Sequence, residues 1–294
     1  METELWPNLL YRLNQRQVPV LLANARLSDS SFNKYNRHPQ LSNTIFSSIS
    51  CICAQYQSDS ENFQRLGTSA EKIVLTGSIK FDIELSQKLR QQQNQLKQQW
   101  TNHRKSWIAA SIHPGEFSAI LDAHLQLLNA VPDALLIAVP RHPERFDELK
   151  VICKKRAIPF VSRSENKSPT LNDSVLIGDT MGEMLLMCGA ADVAFVGGSL
   201  IIRGGQNPIE LAACGLPVIM GPSDYNFSDI TQIMQDTGAL ERVESASELT
   251  VTLAKFLSDN NFLEQKSLYA KQIFENNRGA VDKTLVNIEK LLHS

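Results

Sequence analysis

At 294 residues the chain is longer than an ordinary single domain, so one large or two smaller domains are expected. Hydrophobic residues make up 43% and charged residues 20%, enough apolar side chain for a sizeable core and too much for a disordered polymer. Lys and Arg total 29 against 31 Asp and Glu, and the net charge of -2 does not point to nucleic acid as a partner.

No apolar run approaches the roughly 18 residues of a membrane-spanning helix, and the first residues lack a signal-peptide pattern. Short β-like runs alternate with helical ones throughout, the signature of parallel sheets wrapped by helices. Strands are predicted at 18–22, 50–54 and 72–76, with a helix over 58–66. Three strands make a thin sheet for a Rossmann-like domain. Cys51 and Cys53 alternate on the second strand and face one side. Together with Cys153, Cys188 and Cys214 they form an odd set in mostly apolar segments, which reads as reduced thiols, with no metal site.

Residues 83–100 are polar and glutamine-rich and read as a solvated helix joining two domains. Strands follow at 107–111, 134–139, 174–177, 193–196 and 217–220, with a further candidate at 159–161. From Ser245 the pattern is helical, opened by a Ser245/Glu248 capping box and closed by 281–292, where apolar residues recur three and four apart. The expected architecture is α/β, two Rossmann-like domains with the first one truncated. The expected divisions are a partial N-terminal domain at 1–82, a linker helix at 83–100, a C-terminal domain at 101–278 and a C-terminal helix at 279–294.

The carboxyl ends of strands in such sheets collect ligands, and four of them carry polar signatures. The fullest runs from Phe195 to Glu210, where a strand enters Gly197-Gly198-Ser199 and a second pair, Gly204-Gly205, leads into Asn207-Pro208-Ile209-Glu210. Asn207 suits an N-cap, Pro208 the first helical position and Glu210 the third, which is a good helix start with or without a ligand. With a ligand, the glycines allow close approach, the helix start offers N–H groups to a phosphate, and Glu210 can accept from both hydroxyls of a ribose. Arg141, following the strand at 134–139, fits a phosphate or an ordinary salt bridge to Glu144 or another acid. Met181 and Glu183 read equally as ligand contacts or as helix-start residues, and Gly182 lets backbone approach a base or ribose. His113, before Gly115 and Glu116, reads as a hydrogen-bonded loop residue or a site group. Lys80 reads as a surface lysine or as a cation facing a cleft.

Several segments resemble the Kdo transferases, which attach 3-deoxy-manno-octulosonic acid to lipid A precursors. They are Glu2-Thr3-Glu4-Leu5-Trp6-Pro7-Asn8, Asn24-Ala25-Arg26-Leu27-Ser28, Thr76-Gly77-Ser78-Ile79-Lys80-Phe81-Asp82, Ala109 to Glu116, Val139 to Arg145, Asp179 to Met184, the stretch 195–210, and Met220-Gly221-Pro222 with Asn226-Phe227. The resemblance spans essentially the whole chain. It implies a glycosyltransferase B-like fold, acceptor in the first domain and donor in the second, and transfer of Kdo from CMP-Kdo to a lipid A precursor (lipid IVA) in lipopolysaccharide core biosynthesis. It implies no cofactor and no metal, and work at the cytoplasmic side of the bacterial inner membrane, reached through the acceptor.

By residue, the resemblance gives the CMP part of the donor to Pro140, Arg141, Met181, Gly182, Glu183, Asn207, Pro208, Ile209 and Glu210. Glu2 and Lys80 are implied to assist the transition state. His113, Gly115, Glu116 and Ser199 are further donor-side candidates, and Arg26 and Ser28 fall on the acceptor side. The chain departs from the family pattern at Ile112 and Phe117, and at Gln206, where the family commonly has histidine; glutamine loses the titratable group and keeps the hydrogen bonds. The family's general base lies in a segment preceding Glu2 and has no counterpart here, so a fragment, a misassigned start or a truncated gene product is expected. The alternatives are a non-catalytic CMP-binding remnant and another nucleotide-sugar enzyme of the same architecture, such as a UDP-sugar epimerase, which would prefer uridine nucleotides.

Overall fold

The structure, a computed structural model, describes residues 5–101 and 103–293. They fall into two compact units, one of residues 5–83 with 276–293 and the other of residues 84–275. Both are built on parallel sheets, as the alternating pattern predicts.

The first unit holds three parallel strands, β1 (Leu21–Ala25), β2 (Cys51–Ala54) and β3 (Ile73–Leu75), in that spatial order. β1 lies three residues later than the run 18–22 suggests. Pro19 has no N–H to give a ladder, and pairing starts only at Leu21 opposite Cys51. β2 is buried along its whole length, Cys51 and Cys53 included. Below the sheet Phe46 meets Phe63 edge-on at 5.6 Å, among Leu22, Ile45, Ile49 and Ile52.

The helix Ala280–Leu292, expected as a separate element, belongs to this unit. Asp82 holds its start, with Oδ1 accepting from Gly279 N and Oδ2 from Val281 N, both at 2.6 Å.

The second unit carries seven strands: β4 (Ser106–Ile112), β5 (Leu135–Pro140), β6 (Phe160–Ser162), β7 (Val175–Ile177), β8 (Val193–Val196), β9 (Val218–Met220) and β10 (Leu240–Arg242). All neighbours are parallel, in the order β10-β9-β8-β4-β5-β7-β6. The chain therefore winds outward from β4 through β5 to β6 and β7, then returns to the other side of β4 with β8. The point of reversal lies between β4 and β8, where such sheets open a crevice at their carboxyl edge.

Helix Pro114–Leu127 buries Phe117, Ile120, Leu121 and Leu127, one face at helical spacing, and helix Ala246–Ser258 buries Leu249, Leu253, Phe256 and Leu257 in the same core. His124 also lies on that buried face. It accepts from Trp107 Nε1 at 3.2 Å through Nδ1 and pairs with Ser174 O at 2.9 Å through Nε2, so the polar ring is satisfied inside the core.

The glutamine-rich helix Gln87–Thr101, expected as a solvated connection, is bound into the second unit. Gln93 is buried and donates to Leu185 O at 2.7 Å, Lys97 pairs with Asp192 at 2.8 Å, and Trp100 is buried. Gly189 makes the fit possible, since a Cβ there would sit 2.2 Å from Gln93 Cβ.

Candidate functional site

Four strand ends of the second unit converge on one cleft of about 380 Å³, a volume suited to a small ligand. Ala110 and Ser111 come from the end of β4, Val139 to Arg141 from β5, Thr180 to Gly182 from the loop after β7, and Val196 from β8. The opposite wall is Gln206, Asn207, Glu210 and Leu211, with Met184 and Phe227 at the sides.

Glycine permits this convergence where β4 and β8 end. Gly197 N donates to Ala110 O at 2.8 Å, and a Cβ on Gly197 would lie 2.3 Å from Ser111 O. Ser111 itself takes φ of 56°, an uncommon value for a non-glycine residue, beside a register shift in β4.

The loop after β8 is fastened by Glu116. Its Oε2 accepts from His113 N at 3.0 Å and Gly198 N at 2.7 Å, and its Oε1 accepts from Ser199 N and Leu200 N at 3.1 Å each. Glu116 is wholly buried; burial raises its carboxyl pKa and the four N–H donors oppose the rise. Further along, Gly204 N donates to Ser223 Oγ, Gly205 N to Gly198 O and Gln206 N to Gly197 O. The N–H groups of Gly198, Ser199, Leu200, Gly204 and Gly205 are thus spent inside the protein, and the glycines serve close packing of the loop. Ser199 belongs to the same lock, donating to Val196 O and accepting from Gly221 N at 2.8 Å.

The helix after the second glycine pair is short, Ile209–Ala213. Asn207 Oδ1 accepts from Ile209 N at 3.0 Å, the expected capping bond, while Asn207 Nδ2 donates to Glu210 Oε1 at 3.3 Å. The Glu210 carboxylate therefore meets the Asn207 side chain, and both line the cleft. Pro208 and Ile209 are buried behind them.

The loop 179–183 is held by its own carboxylates. Asp179 accepts from Ser164 N at 2.8 Å, Ser164 Oγ at 2.6 Å and Lys150 at 2.8 Å. Glu183 takes a two-point bond from Arg163, at 3.1 and 2.9 Å, and another from the Thr180 hydroxyl at 2.5 Å. Burial works to raise both acids, but Lys150 and Ser164 around Asp179, and Arg163 and Thr180 around Glu183, bring them below the usual carboxylate range. Glu183 is thus a structural clamp and does not line the cleft. The Met181–Gly182 backbone faces the cleft instead, and Gly182 has φ of 77° with open space where a Cβ would stand.

Arg141 sits at the end of β5, its backbone N donating to Ile112 O at 2.9 Å and its Nε to Gln206 Oε1 at 3.1 Å. Gln206 Nε2 lies 3.3 Å from His113 Nε2. His113 therefore stands behind Gln206 rather than on the cleft wall; burial lowers its pKa, helped by His142, Arg203 and Arg141. Gly115 is exposed and does not line the cleft.

The remaining sequence candidates are in the first unit. Arg26 borders a separate apolar cavity of about 330 Å³ with Leu22, Leu27, Tyr35 and Phe63. Ser28 caps helix Asp29–Asn36 by accepting from Ser31 N. Lys80 is on the turn Ile79–Phe81, and Glu2 lies outside the described residues. Sequence reasoning missed Leu211 as a lining residue, and Ser111, Thr180 and Met184 stood inside quoted segments without a role of their own. Gln206 and Phe227 stood inside quoted segments without being assigned a role.

A family model described as 3-deoxy-D-manno-octulosonic-acid transferase (kdotransferase) matches residues 1–83. The chain is 40% identical over 286 residues to the 3-deoxy-D-manno-octulosonic acid transferase of Haemophilus influenzae, covering 97% of this chain and 67% of that protein. Against the protein of that name from Bordetella pertussis it is 33% identical over 298 residues, covering 99% and 68%. The chain thus spans about two thirds of the length of these two relatives. Among solved structures, the C-terminal CMP-Kdo binding domain of WaaA from Acinetobacter baumannii matches at a TM-score of 0.61 and 33% identity, over 64% of this chain and 98% of that one. UDP-GlcNAc 2-epimerase from Neisseria meningitidis matches 97% of this chain and 72% of its own at a TM-score of 0.61 but 12% identity, which shows a common glycosyltransferase B-like fold alone. On sequence identity and coverage, the chain belongs to the 3-deoxy-D-manno-octulosonic acid transferase family.

Proposed function

We propose that the cleft of the second unit binds CMP-Kdo and that the protein transfers Kdo from it to a hydroxyl of a lipid A precursor. In this reading the bond between the sugar and the cytidylate phosphate breaks, the acceptor oxygen bonds to the sugar and gives up its proton to a base or to water, and CMP departs as an anion. The observation that carries it is Arg141, a permanent cation aimed into a cleft at the reversal point of the sheet, opposite Asn207 and Glu210. Arg141 meets the phosphate, in a cleft whose wall also holds the start of helix Ile209–Ala213. Asn207 and Glu210 take the ribose hydroxyls, and the Met181–Gly182 backbone lies along the base.

Lys80 and Glu2 would assist the transition state, Lys80 as a cation for the departing phosphate or the sugar carboxylate, and Arg26 and Ser28 would serve the acceptor side. A lipid acceptor would bring the reaction to the cytoplasmic face of the inner membrane; no described helix is long and apolar enough to cross a membrane. Support comes from the relative whose solved domain is described as CMP-Kdo binding and from the match to that domain across 64% of this chain.

The test is calorimetric titration of the whole chain with CMP and with UMP. CMP is expected to bind more tightly, and Arg141→Ala or Glu210→Ala to weaken it by about 1.5–3 kcal/mol, the worth of a hydrogen bond to a charged group. A folded protein that ignores CMP, or variants that bind it as well as the parent, would overturn the assignment.

A further inference from the structure

Gln206 touches both the cleft's cation, Arg141, and the His113 ring, and its amide can face them in only one sense. Its Oε1 accepts from Arg141 Nε at 3.1 Å, and its Nε2 is 3.3 Å from His113 Nε2. Reversing the amide would set an NH2 group against the Nε–H of Arg141, donor against donor. With the amide so fixed, Gln206 donates to His113 Nε2, and that nitrogen is the bare one of a neutral ring whose proton is on Nδ1. The surroundings agree with a neutral ring, since burial first, and then the nearby His142, Arg203 and Arg141, disfavour a positive charge on His113.

Arg141 is otherwise an exposed side chain. Among the described residues its Nε has Gln206 as acceptor, and no protein acceptor takes its two terminal amino groups. A guanidinium held at Nε loses rotational freedom about its stem while its two terminal amino groups keep their donors. Gln206 and Arg141 both line the cleft, so the guanidinium is held at the wall of the space where an anion would sit.

We infer that Gln206 is a positioning residue, which fixes the Arg141 guanidinium for the phosphate of the donor by bridging it to the neutral ring of His113. This rests on the donor-site reading above. Holding the arginine in place before the ligand arrives removes part of the ordering cost of binding, and its loss should weaken phosphate recognition about 3- to 10-fold. The effect belongs to the phosphate, so it must be absent for a nucleoside that lacks one.

The experiment measures CMP and cytidine affinities for the parent chain, Gln206→Leu, Gln206→Met, Arg141→Ala and the double variant Arg141→Ala/Gln206→Leu. Expected are a 3- to 10-fold loss for CMP in both Gln206 variants, no change for cytidine, and no further loss when Gln206→Leu is added to Arg141→Ala. An unchanged CMP affinity in Gln206→Leu and Gln206→Met, with Arg141→Ala impaired, overturns the role of Gln206 and leaves the donor site standing. Equal losses for CMP and cytidine, or additive losses in the double variant, also overturn it, because the residue would then shape the cleft generally. If Arg141→Ala itself leaves CMP binding intact, the donor-site reading fails and this inference falls with it.

Discussion

Replacing Glu116 with Gln changes one atom and should dismantle the loop that forms one wall of the cleft. The carboxylate accepts from four backbone N–H groups, two on each oxygen, and has no exposed surface. An amide keeps one oxygen. In one orientation His113 N and Gly198 N face an NH2 group, and in the other Ser199 N and Leu200 N do. Two buried donors lose their acceptor either way, at about 1–3 kcal/mol each, a loss of about 2–6 kcal/mol. The neutral side chain returns part of this, because the buried carboxylate no longer has to be desolvated, and we expect a net loss of about 2–4 kcal/mol. Urea unfolding followed by tryptophan emission reads it, since Trp100 and Trp107 are buried in this unit. CMP titration reads the consequence, a weaker site as Gly198 to Leu200 lose their anchor. A variant within about 0.5 kcal/mol of the parent that binds CMP normally would refute the argument, because a neutral surface substitution does no more.

Other perturbations have equally definite outcomes. Burial holds His124 down to about 4, and its unfolded value is about 6.5, so the folded state is at full strength above that pH and weakens as the unfolded chain takes up a proton. Urea midpoints should show about 2 kcal/mol lost to this group between pH 7.5 and 5, and His124→Gln, which can make both bonds of the ring without titrating, should remove that part of the slope. Asp82→Ala strips the acceptor from Gly279 N and Val281 N, and hydrogen exchange in helix Ala280–Leu292 should rise by about 5- to 30-fold, the equivalent of 1–2 kcal/mol at a helix start. Gly197→Ala places a Cβ 2.3 Å from Ser111 O, backbone that cannot yield cheaply. The ends of β4 and β8 must part, at about 1–3 kcal/mol in unfolding free energy and with weaker CMP binding.

The apolar strands of the second unit were legible because burial on both faces writes them as unbroken runs, as in Leu135–Pro140 and Val193–Val196. β10, Leu240–Arg242, was not, because it is an edge strand of three residues with two polar ones and exists through its pairing with β9. Helix Gln87–Thr101 misled for a related reason. Its glutamines look solvated, yet one of them fits a hollow left by a glycine 96 positions later, a coincidence of packing that no local pattern records.

The cleft divides along the same line. Arg141, Met181, Gly182, Asn207 and Glu210 stand at strand ends or a helix start, where chemistry-bearing residues advertise themselves. What local reading could not weigh was how the polar groups share partners. A glycine-rich turn suggests close approach to a ligand, but Glu116, more than 80 residues earlier, takes three of its N–H groups and other protein atoms take those of Gly204, Gly205 and Gln206. Glu183 looks like a ligand contact and is instead committed to Arg163, which lies 5.5 Å over the Trp100 ring. Glu116 thus holds backbone and Glu183 holds the Arg163 and Thr180 side chains, and the residue that stands where the family commonly has histidine, Gln206, bonds the cation. With the N–H groups of Gly198 to Leu200 committed to Glu116, the cleft's cation gains in weight, and a cation on a flexible stem must be oriented by a neighbour to recognise an anion well.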